Sequence, residues 1–263
     1  MMKSLSRGVR VLQCFTAATP QLRLKDVADR LGIPMGSAFR TLATLEALGF
    51  VRQDATTKTY RLGLRALDLG HACLVGMVFP DVALPFLEEL AGATGRSANM
   101  AVLDGDEIVF VARASITRLM SVNLSVGSRL PSHATAMGKV LLAHLDDETL
   151  AGLIGDRRLP RFTAATITDP SELRATIAVV RERGYAVTHG ELEQRLSSFA
   201  APVRDATGAV AAAINVALFM APDEPVDDEA AAVPKLLQTA QVISSALGYR
   251  PGRLPSTTDV GSR

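Results

Sequence analysis

Two short runs of apolar residues near the start of the chain, each closed by a glycine, constrain its fold most. In the first run the apolar residues recur at the spacing of one helical face, at Leu24, Val27, Ala28 and Leu31. The second run is spaced in the same way, at Ala38, Leu42, Leu45 and Leu48. Gly32 and Gly49 follow where a helix C-terminus favours positive φ, and Pro34 suits the first turn of the second helix. The pattern therefore predicts two helices, residues 24–31 and 34–48, joined by a tight turn.

The segments before and after this helix pair extend it into a small domain. Residues 6–16 place Val9, Leu12 and Cys14 at roughly helical spacing, so they predict a preceding helix. Residues 50–52 and 59–62 are β-prone and are joined by a polar segment, which predicts a β-hairpin. A helix-turn-helix followed by such a hairpin is a winged helix-turn-helix, and helix-turn-helix domains carry one helix into the major groove of DNA.

Charge is divided unevenly between this region and the rest of the chain. Residues 1–65 carry eleven Lys and Arg against four Asp and Glu, whereas the remaining residues carry 17 against 23. A basic segment attracts polyanions, and an acidic remainder argues against adhesion of the whole surface to nucleic acid or to an anionic membrane. DNA is therefore the partner that the charge pattern predicts for the N-terminal region.

The polar face of the second helix carries short side chains and one arginine. We expect these residues to read base edges in the major groove, and they are Ser37, Arg40, Thr41 and Thr44. The alternative interpretation is an ordinary solvated helix face, since most surface helices have one. Basic residues of the hairpin and of the first two helices are candidate phosphate contacts, and they are Arg52, Lys58, Arg61, Lys25 and Arg7.

The longer C-terminal part mixes strands and helices without regular alternation, which predicts an α+β domain. Asp104-Gly105 between two β-prone runs is a strong hairpin signal. Asp169-Pro170-Ser171-Glu172 supplies an N-cap, a proline at N1 and an acidic N3 residue for a helix that continues to residue 183. The other predicted elements are a helix at 84–90, strands at 98–103, 107–112, 185–189, 198–203 and 210–218, and a helix at 227–247.

Composition also predicts how the domains are joined. Residues 66–80 are mainly apolar and compatible with a helix that Pro80 ends, so we expect a linker helix there. It would join a DNA-binding domain at residues 1–65 to a second domain at residues 81–250. Residues 251–263 are rich in Pro, Gly, Ser and Thr, which predicts a flexible tail.

Several motifs of the chain resemble those of the IclR family of bacterial transcriptional regulators. In the N-terminal region these motifs are residues 4–12, Leu31-Gly32-Ile33-Pro34, residues 40–45, residues 48–51 and Tyr60-Arg61-Leu62-Gly63. Two C-terminal blocks, residues 129–143 and 191–205, extend the resemblance, which reaches about residue 249. The resemblance implies a winged helix-turn-helix joined by a linker helix to a GAF-like effector-binding domain.

The two C-terminal blocks are most similar to the branch of the family that controls aromatic-acid breakdown through the β-ketoadipate pathway. The resemblance therefore implies a small carboxylic acid as effector, either an aromatic acid or an intermediate of aromatic breakdown. It implies effector contacts at Ala136, Met137, Ser198, Asn215 and Ala217. Backbone N–H groups at the start of a helix from Thr135 can hold a carboxylate, and His189 or His133 is a candidate donor.

Two alternatives remain open at this point. One keeps the DNA-binding role but takes a short 2-oxo acid, glyoxylate or pyruvate, as effector. The other is an enzyme, or a GAF-like ligand module, with an incidental basic segment. Lys139 does not stand in a P-loop, the chain has no Gly-x-Ser-x-Gly motif, and its four histidines lack the spacing of a zinc site. We therefore predict a regulator that is not an enzyme and has no metal or cofactor.

Assembly and location follow from the DNA-binding role. Two-fold operators match two-fold proteins, so we expect a homodimer or a dimer of dimers whose effector changes DNA affinity or contact with RNA polymerase. No apolar leader follows Met1, and we interpret the uncharged run at 206–222 as a buried strand because it contains Asn215. Cys14 and Cys73 form no spaced pattern, so we predict a cytoplasmic protein without membrane association.

Overall fold

The structure is a computed structural model that describes residues 2–115, 124–219 and 229–250. Contacts within the chain divide it into two units, with the boundary between Met77 and Val78. Each unit has its own hydrophobic core. The predicted tail at residues 251–263 lies outside the described residues.

The first unit is a helix-turn-helix followed by a hairpin and one more helix. Its elements are α1 (Lys3–Gln13), α2 (Leu24–Leu31), α3 (Met35–Ala47), β1 (Val51–Gln53), β2 (Tyr60–Leu62) and α4 (Arg65–Val75). Gly32 ends α2 with φ at 61°, a conformation that strains most other residues, so the chain turns within Gly32, Ile33 and Pro34. Ala38 and Leu42 of α3 are fully buried in the core of this unit, as their spacing predicts.

The core-facing side of α1 is partly the predicted one, because Leu12 and Cys14 pack in the core of this unit and Val9 does not. Val11 is fully buried whereas Val9 is 47% exposed, and the helix begins at Lys3 rather than at residue 6. The buried side is the one that packs against α3, and Cys14 and Phe15 are buried in the turn that follows α1. Spacing alone does not choose between the two sides, because this helix carries apolar residues on both.

A residue from outside the hairpin holds it to the core of the first unit. β1 and β2 pair antiparallel, with Arg52 opposite Arg61. Leu22 forms a bridge to Tyr60 in which each N–H donates to the other residue's carbonyl oxygen, at 3.0 and 2.7 Å. Both residues are buried, so the hairpin is anchored; an isolated two-stranded hairpin is only marginally stable in water.

The helix predicted over residues 66–80 is interrupted. α4 ends at Val75, and α5 (Phe79–Thr94) begins four residues later with Pro80 in its first turn. Proline is favoured at the start of a helix because its missing N–H would have no intrahelical acceptor there. Pro80 therefore begins the following helix instead of ending the preceding one.

The second unit is built on one antiparallel sheet. Its strands are β3 (Ser97–Asp104), β4 (Glu107–Ala114), β5 (Arg129–Pro131), β6 (Ala186–His189), β7 (Leu196–Arg204) and β8 (Val210–Phe219). Besides α5, its helices are α6 (Ala136–Ala143), α7 (Asp147–Ile154), α8 (Pro170–Arg183) and α9 (Glu229–Ala246). The strand order is β5-β4-β3-β8-β7-β6, and each neighbouring pair is antiparallel.

Helices cover both faces of this sheet. α6 packs on the face that carries Phe110 and Ala213, and these residues share a core with α8. Ala212 and Ile214 point to the opposite face because side chains alternate along a strand, and they too are fully buried. α5 and α9 also pack against the sheet, so the unit is α+β, as predicted.

The strongest local signals in this unit are confirmed. Gly105 makes the β3–β4 turn with φ at 63°, and Oδ1 of Asp169 accepts a hydrogen bond from the N–H of Ser171 at 2.8 Å to begin α8. The helix predicted at 84–90 is the middle of the longer α5, and α7 has no predicted counterpart. No single helix within the described ranges is long and apolar enough to cross a membrane, although α4 and α5 pass that test together as a broken pair.

Candidate functional site

Packing of α3 determines which of its residues are presented to solvent. Leu42 and Leu45 face the core, and on the other sides of the helix Arg40 and Thr44 are exposed. Ser37 and Thr41, the other two predicted base-reading residues, are half-buried at the flank of that surface. The four side chains therefore lie along one side of the exposed surface rather than at its centre.

The hydroxyl groups of the two threonines of this helix are already used as donors. Oγ1 of Thr41 donates to the carbonyl oxygen of Ser37, and Oγ1 of Thr44 donates to that of Arg40, both at 2.9 Å. Their oxygen lone pairs remain as acceptors, which match the amino groups of adenine and cytosine in the major groove. Arg40 keeps most of its guanidinium donors for guanine or phosphate, since its contact with Oγ of Ser37 is long, at 3.4 Å.

Two apolar residues on the exposed surface of α3 were missed by the sequence analysis. Met35 is 49% exposed and Phe39 is 53% exposed, one turn apart. Apolar side chains on a groove-reading helix contact the methyl group of thymine. The feature of the sequence that marks these two residues is their i, i+4 spacing beside Arg40.

The hairpin concentrates positive charge at an energetic cost. Arg52 and Arg61 are directly opposite each other and both are exposed, an arrangement that destabilises a strand pair unless an anion lies nearby. The tip is a tight turn in which Lys58 has φ at 57°. Hydrogen bonds from the N–H groups of Thr57 and Thr56 lower the pKa of Asp54, so this carboxylate stays ionised and keeps the turn closed. The hairpin thus presents its cations on an ordered loop.

The remaining predicted phosphate contacts lie on the first two helices. Lys25 is exposed on α2, and Arg7 is half-buried on α1. The fold leaves the charges of both residues accessible to solvent.

A cavity of about 90 Å³ lies between the sheet and the start of α6 in the second unit. Its floor consists of two rows of directly opposed residues. One row is Thr188, Ser198, Ala217 and Ser97 across β6, β7, β8 and β3, and the next is Asn215, Asn99 and Arg113 across β8, β3 and β4. The rest of the wall is mainly apolar and includes Ile108, Phe110, Leu124, Leu130, Leu192 and Leu196.

The structure brings most of the predicted effector residues to this cavity. Those that line it are Thr135, Ala136, Met137, Ser198, Asn215 and Ala217. His189 is the exception, because Thr188 before it faces the cavity and successive strand residues point to opposite faces. The His189 ring is exposed instead, with Nδ1 at 3.1 Å from Oγ of Ser197 and its edge against Phe199. His133 faces another hollow, with Nε2 at 2.9 Å from the carbonyl oxygen of Pro160.

The start of α6 is held rigidly beside the cavity. Thr135 is its N-cap: Oγ1 accepts from the N–H of Gly138 at 3.2 Å and donates to the carbonyl oxygen of Pro131 at 3.1 Å. A Cβ at Gly138 would lie 2.1 Å from the carbonyl oxygen of Ser132, so only glycine allows this close approach. First-turn N–H groups of a helix lack intrahelical acceptors and carry partial positive charge, which suits Ala136 and Met137 to an anion.

Arg113 is the charged residue that the sequence analysis missed. Its guanidinium lines the cavity, and Nη1 donates to the carbonyl oxygen of Leu124. Among the residues that the structure describes, no carboxylate pairs with it, and burial lowers its pKa. The feature of the sequence that marks Arg113 is a polar residue within an apolar strand. The same feature singled out Asn215.

Glu193 also lines the cavity and is half-buried. Its carboxylate would repel a negatively charged group at that side of the cavity, so the site disfavours a ligand with two anionic groups. Within the described ranges, no group of three or more His, Cys, Asp or Glu side chains could hold a metal ion.

Comparison with known proteins identifies domains in both parts of the chain. Residues 4–55 match the IclR helix-turn-helix domain, and residues 71–245 match the C-terminal domain of the bacterial transcriptional regulator IclR. The chain is 42% identical over 216 residues to the Pca regulon regulatory protein of Pseudomonas putida, which covers 82% of this chain and 74% of that protein. It is 31% identical over 258 residues to the transcriptional repressor AllR of Salmonella paratyphi A, which covers 95% and 91%.

A solved structure extends this agreement to the fold. An IclR homologue from Microbacterium hydrocarbonoxydans, crystallised with 4-hydroxybenzoate, superposes with a TM-score of 0.81 at 28% identity, covering 93% of this chain and 99% of that one. Matches to both domain models and to regulators over most of the chain establish the family. The chain belongs to the IclR family of bacterial transcriptional regulators.

Proposed function

We propose that this regulator binds operator DNA through α3 and the hairpin, and that an aromatic monocarboxylic acid in the cavity of the second unit controls it. One observation carries the choice of ligand. The cavity combines a half-buried guanidinium without a described carboxylate partner, on Arg113, with walls that are mainly apolar. Such a site favours an anionic group attached to an apolar body.

The two ends of such a ligand have different partners. Arg113 and the first-turn N–H groups of Ala136 and Met137 are suited to the carboxylate. Phe110, Ile108 and the leucines of the wall are suited to the ring. A short 2-oxo acid offers too little apolar surface for these walls, and Glu193 disfavours a dicarboxylate. The cavity volume of about 90 Å³ favours a small acid with a single ring.

Two relatives support an aromatic ligand. The Pca regulon regulatory protein is 42% identical to the chain, and the Microbacterium homologue holds 4-hydroxybenzoate. For the DNA contacts, we assign base reading to Arg40 and its neighbours on α3, and phosphate contacts to the cations of the hairpin, with Lys25 and Arg7 beside them.

Further assignments follow from this role. A two-fold operator requires a homodimer or a dimer of dimers. For the domain division we propose the one expected from composition: a DNA-binding domain at 1–65, a linker at 66–80 and an effector domain at 81–250. The bound acid would change DNA affinity or contact with RNA polymerase and would be released unchanged, so we expect no turnover. We also propose a cytoplasmic location, since operator DNA is there.

Thermal unfolding of the full chain with a panel of acids tests the ligand. At about 100 times its dissociation constant, a ligand adds roughly 2.7 kcal/mol to the stability of the protein. We expect benzoates to raise the unfolding temperature and glyoxylate, pyruvate and muconate to leave it unchanged. Arg113→Gln should abolish the shift. Stabilisation by a 2-oxo acid alone, or an equal benzoate shift in Arg113→Gln, would contradict the proposal.

A further inference from the structure

The floor of the cavity contains a chain of three polar side chains with a defined direction. Nδ2 of Asn99 donates to Oδ1 of Asn215 at 2.8 Å, and Nδ2 of Asn215 donates to Oγ of Ser198 at 2.7 Å. β3, β8 and β7 bring these residues together in adjacent positions of the sheet. Each amide thus uses its nitrogen toward the next residue, which leaves the oxygen of the first amide for another partner.

That oxygen is the unusual atom of the site. Asn99 is 3% exposed, and its Oδ1 is buried without a hydrogen-bond partner among the described residues. Buried polar atoms in native proteins nearly always have a partner, so an unpaired one in a ligand cavity indicates where a ligand atom belongs. Arg113 stands opposite Asn99 on β4, and its positive charge favours the amide oxygen on that side over the amide N–H₂ group.

The chemistry of the missing partner follows from the acceptor. A carboxylate has no hydrogen to donate, so the acid group of the ligand cannot satisfy Oδ1 of Asn99. An aromatic C–H does so only weakly. A hydroxyl group can, because it supplies one O–H donor.

On the basis of the proposed aromatic acid ligand, we infer that Asn99 is a specificity-determining residue that accepts a hydrogen bond from a hydroxyl group on the ring. The cavity thereby selects hydroxylated ring acids over acids of the same shape without a donor. The acid group supplies affinity through the cationic part of the site, and the hydroxyl group supplies discrimination through Asn99. A site built to bond a hydroxyl group rejects analogues that lack it, because its own polar atom is then left unpaired.

Matched ligands test this assignment on the full chain. Dissociation constants are measured by calorimetry for 2-, 3- and 4-hydroxybenzoate and for the three fluorobenzoates, because fluorine is close to hydroxyl in size but cannot donate. We expect one hydroxybenzoate to bind about 10–100-fold more tightly than its fluoro counterpart. In Asn99→Leu, which keeps the volume and removes the acceptor, that ratio should fall to near one.

The outcomes separate this inference from the proposed function. If hydroxybenzoates and fluorobenzoates bind equally to the unaltered protein, Asn99 is not a hydroxyl reader, although the aromatic acid site stands. A preference for fluorobenzoates would mean that Asn99 presents its N–H₂ group, which also overturns the inference. If no benzoate binds, the proposed function fails first. The comparison on the unaltered protein remains decisive if Asn99→Leu does not fold.

Discussion

Replacing Glu191 with Gln tests a buried ion pair beside the cavity. Lys139, in α6, is 1% exposed, and its Nζ donates to Oε1 of Glu191 in the connection between β6 and β7. The carbonyl oxygen of Glu191 accepts a hydrogen bond from Oγ1 of Thr166 at 2.6 Å, so this residue also anchors the connection that carries Leu192 and Glu193 to the cavity wall. The pair therefore links α6 to the opposite wall.

The expected loss of stability can be worked out from burial. Removing one partner of a buried ion pair costs about 3–5 kcal/mol, because the other charge is left uncompensated. Glutamine keeps the acceptor oxygen, so we expect a loss of about 3 kcal/mol, which corresponds to a fall of roughly 6–12 °C in the unfolding temperature of a unit of this size. Replacing both residues, as Lys139→Met with Glu191→Leu, should recover most of the loss, since an apolar pair needs no compensation.

The variant should also change how stability depends on pH. Burial lowers the pKa of Lys139 below its ordinary value, and the carboxylate of Glu191 opposes this effect. Without that carboxylate the pKa of Lys139 falls further, and the unfolded chain then binds this proton more tightly than the folded one. Stability rises with pH wherever the unfolded state holds more protons, so the deficit of Glu191→Gln should shrink as the pH rises toward the ordinary pKa of a lysine.

Urea unfolding of the full chain, followed by circular dichroism at several pH values, measures both effects. Glu193→Gln is the matched control, because Glu193 is close in sequence but half-buried, and it should change stability by less than about 0.5 kcal/mol. A loss below about 1 kcal/mol for Glu191→Gln, or a deficit that does not change with pH, would refute the argument that the charge of Lys139 is uncompensated in the variant.

Four further changes test the two sites. Gly138→Ala should prevent ligand binding and lower the unfolding temperature, because its Cβ would lie 2.1 Å from the carbonyl oxygen of Ser132; unchanged calorimetry would contradict this. Thr135→Val should cost about 1 kcal/mol through loss of the N-cap bond, measured by urea unfolding. Lys58→Ala should weaken binding to all DNA sequences alike and reduce the salt slope by about one, whereas Arg40→Ala should reduce discrimination between operator and unrelated DNA, both measured by fluorescence anisotropy.

Elements with strong local signals were predictable from the sequence. The turn at Gly32, the hairpin at Asp104-Gly105 and the N-cap at Asp169 each depend on the chemistry of a few consecutive residues, and each is present where expected. The resemblance also led to the start of α6 and to Ser198 and Asn215, which line the cavity. Neighbouring residues determine the turn, the hairpin and the N-cap, so no knowledge of distant contacts was needed for these three features.

Features that depend on a packing partner were predicted less well. Val9 was expected in the core, but the position of α3 buries Val11 instead. Pro80 was expected to end a helix, but it lies in the first turn of α5, because proline fits the first turn of a helix as well as the position where a helix ends. His189 was expected at the ligand, and strand alternation turns it away. In each case the sequence allowed two arrangements and tertiary contacts chose one.

The sequence by itself determined most of the order of elements, the basic first domain, the α+β character of the second and the family. It did not determine the floor of the cavity, because Asn99, Arg113 and Ser198 lie far apart along the chain and meet only through the pairing of β3 with β4 and β8, and of β8 with β7. A shift of one residue in any of these registers would turn the side chains to the other face. The packing of the whole sheet against its helices selects the register, so the tertiary structure alone decided which polar groups a ligand meets.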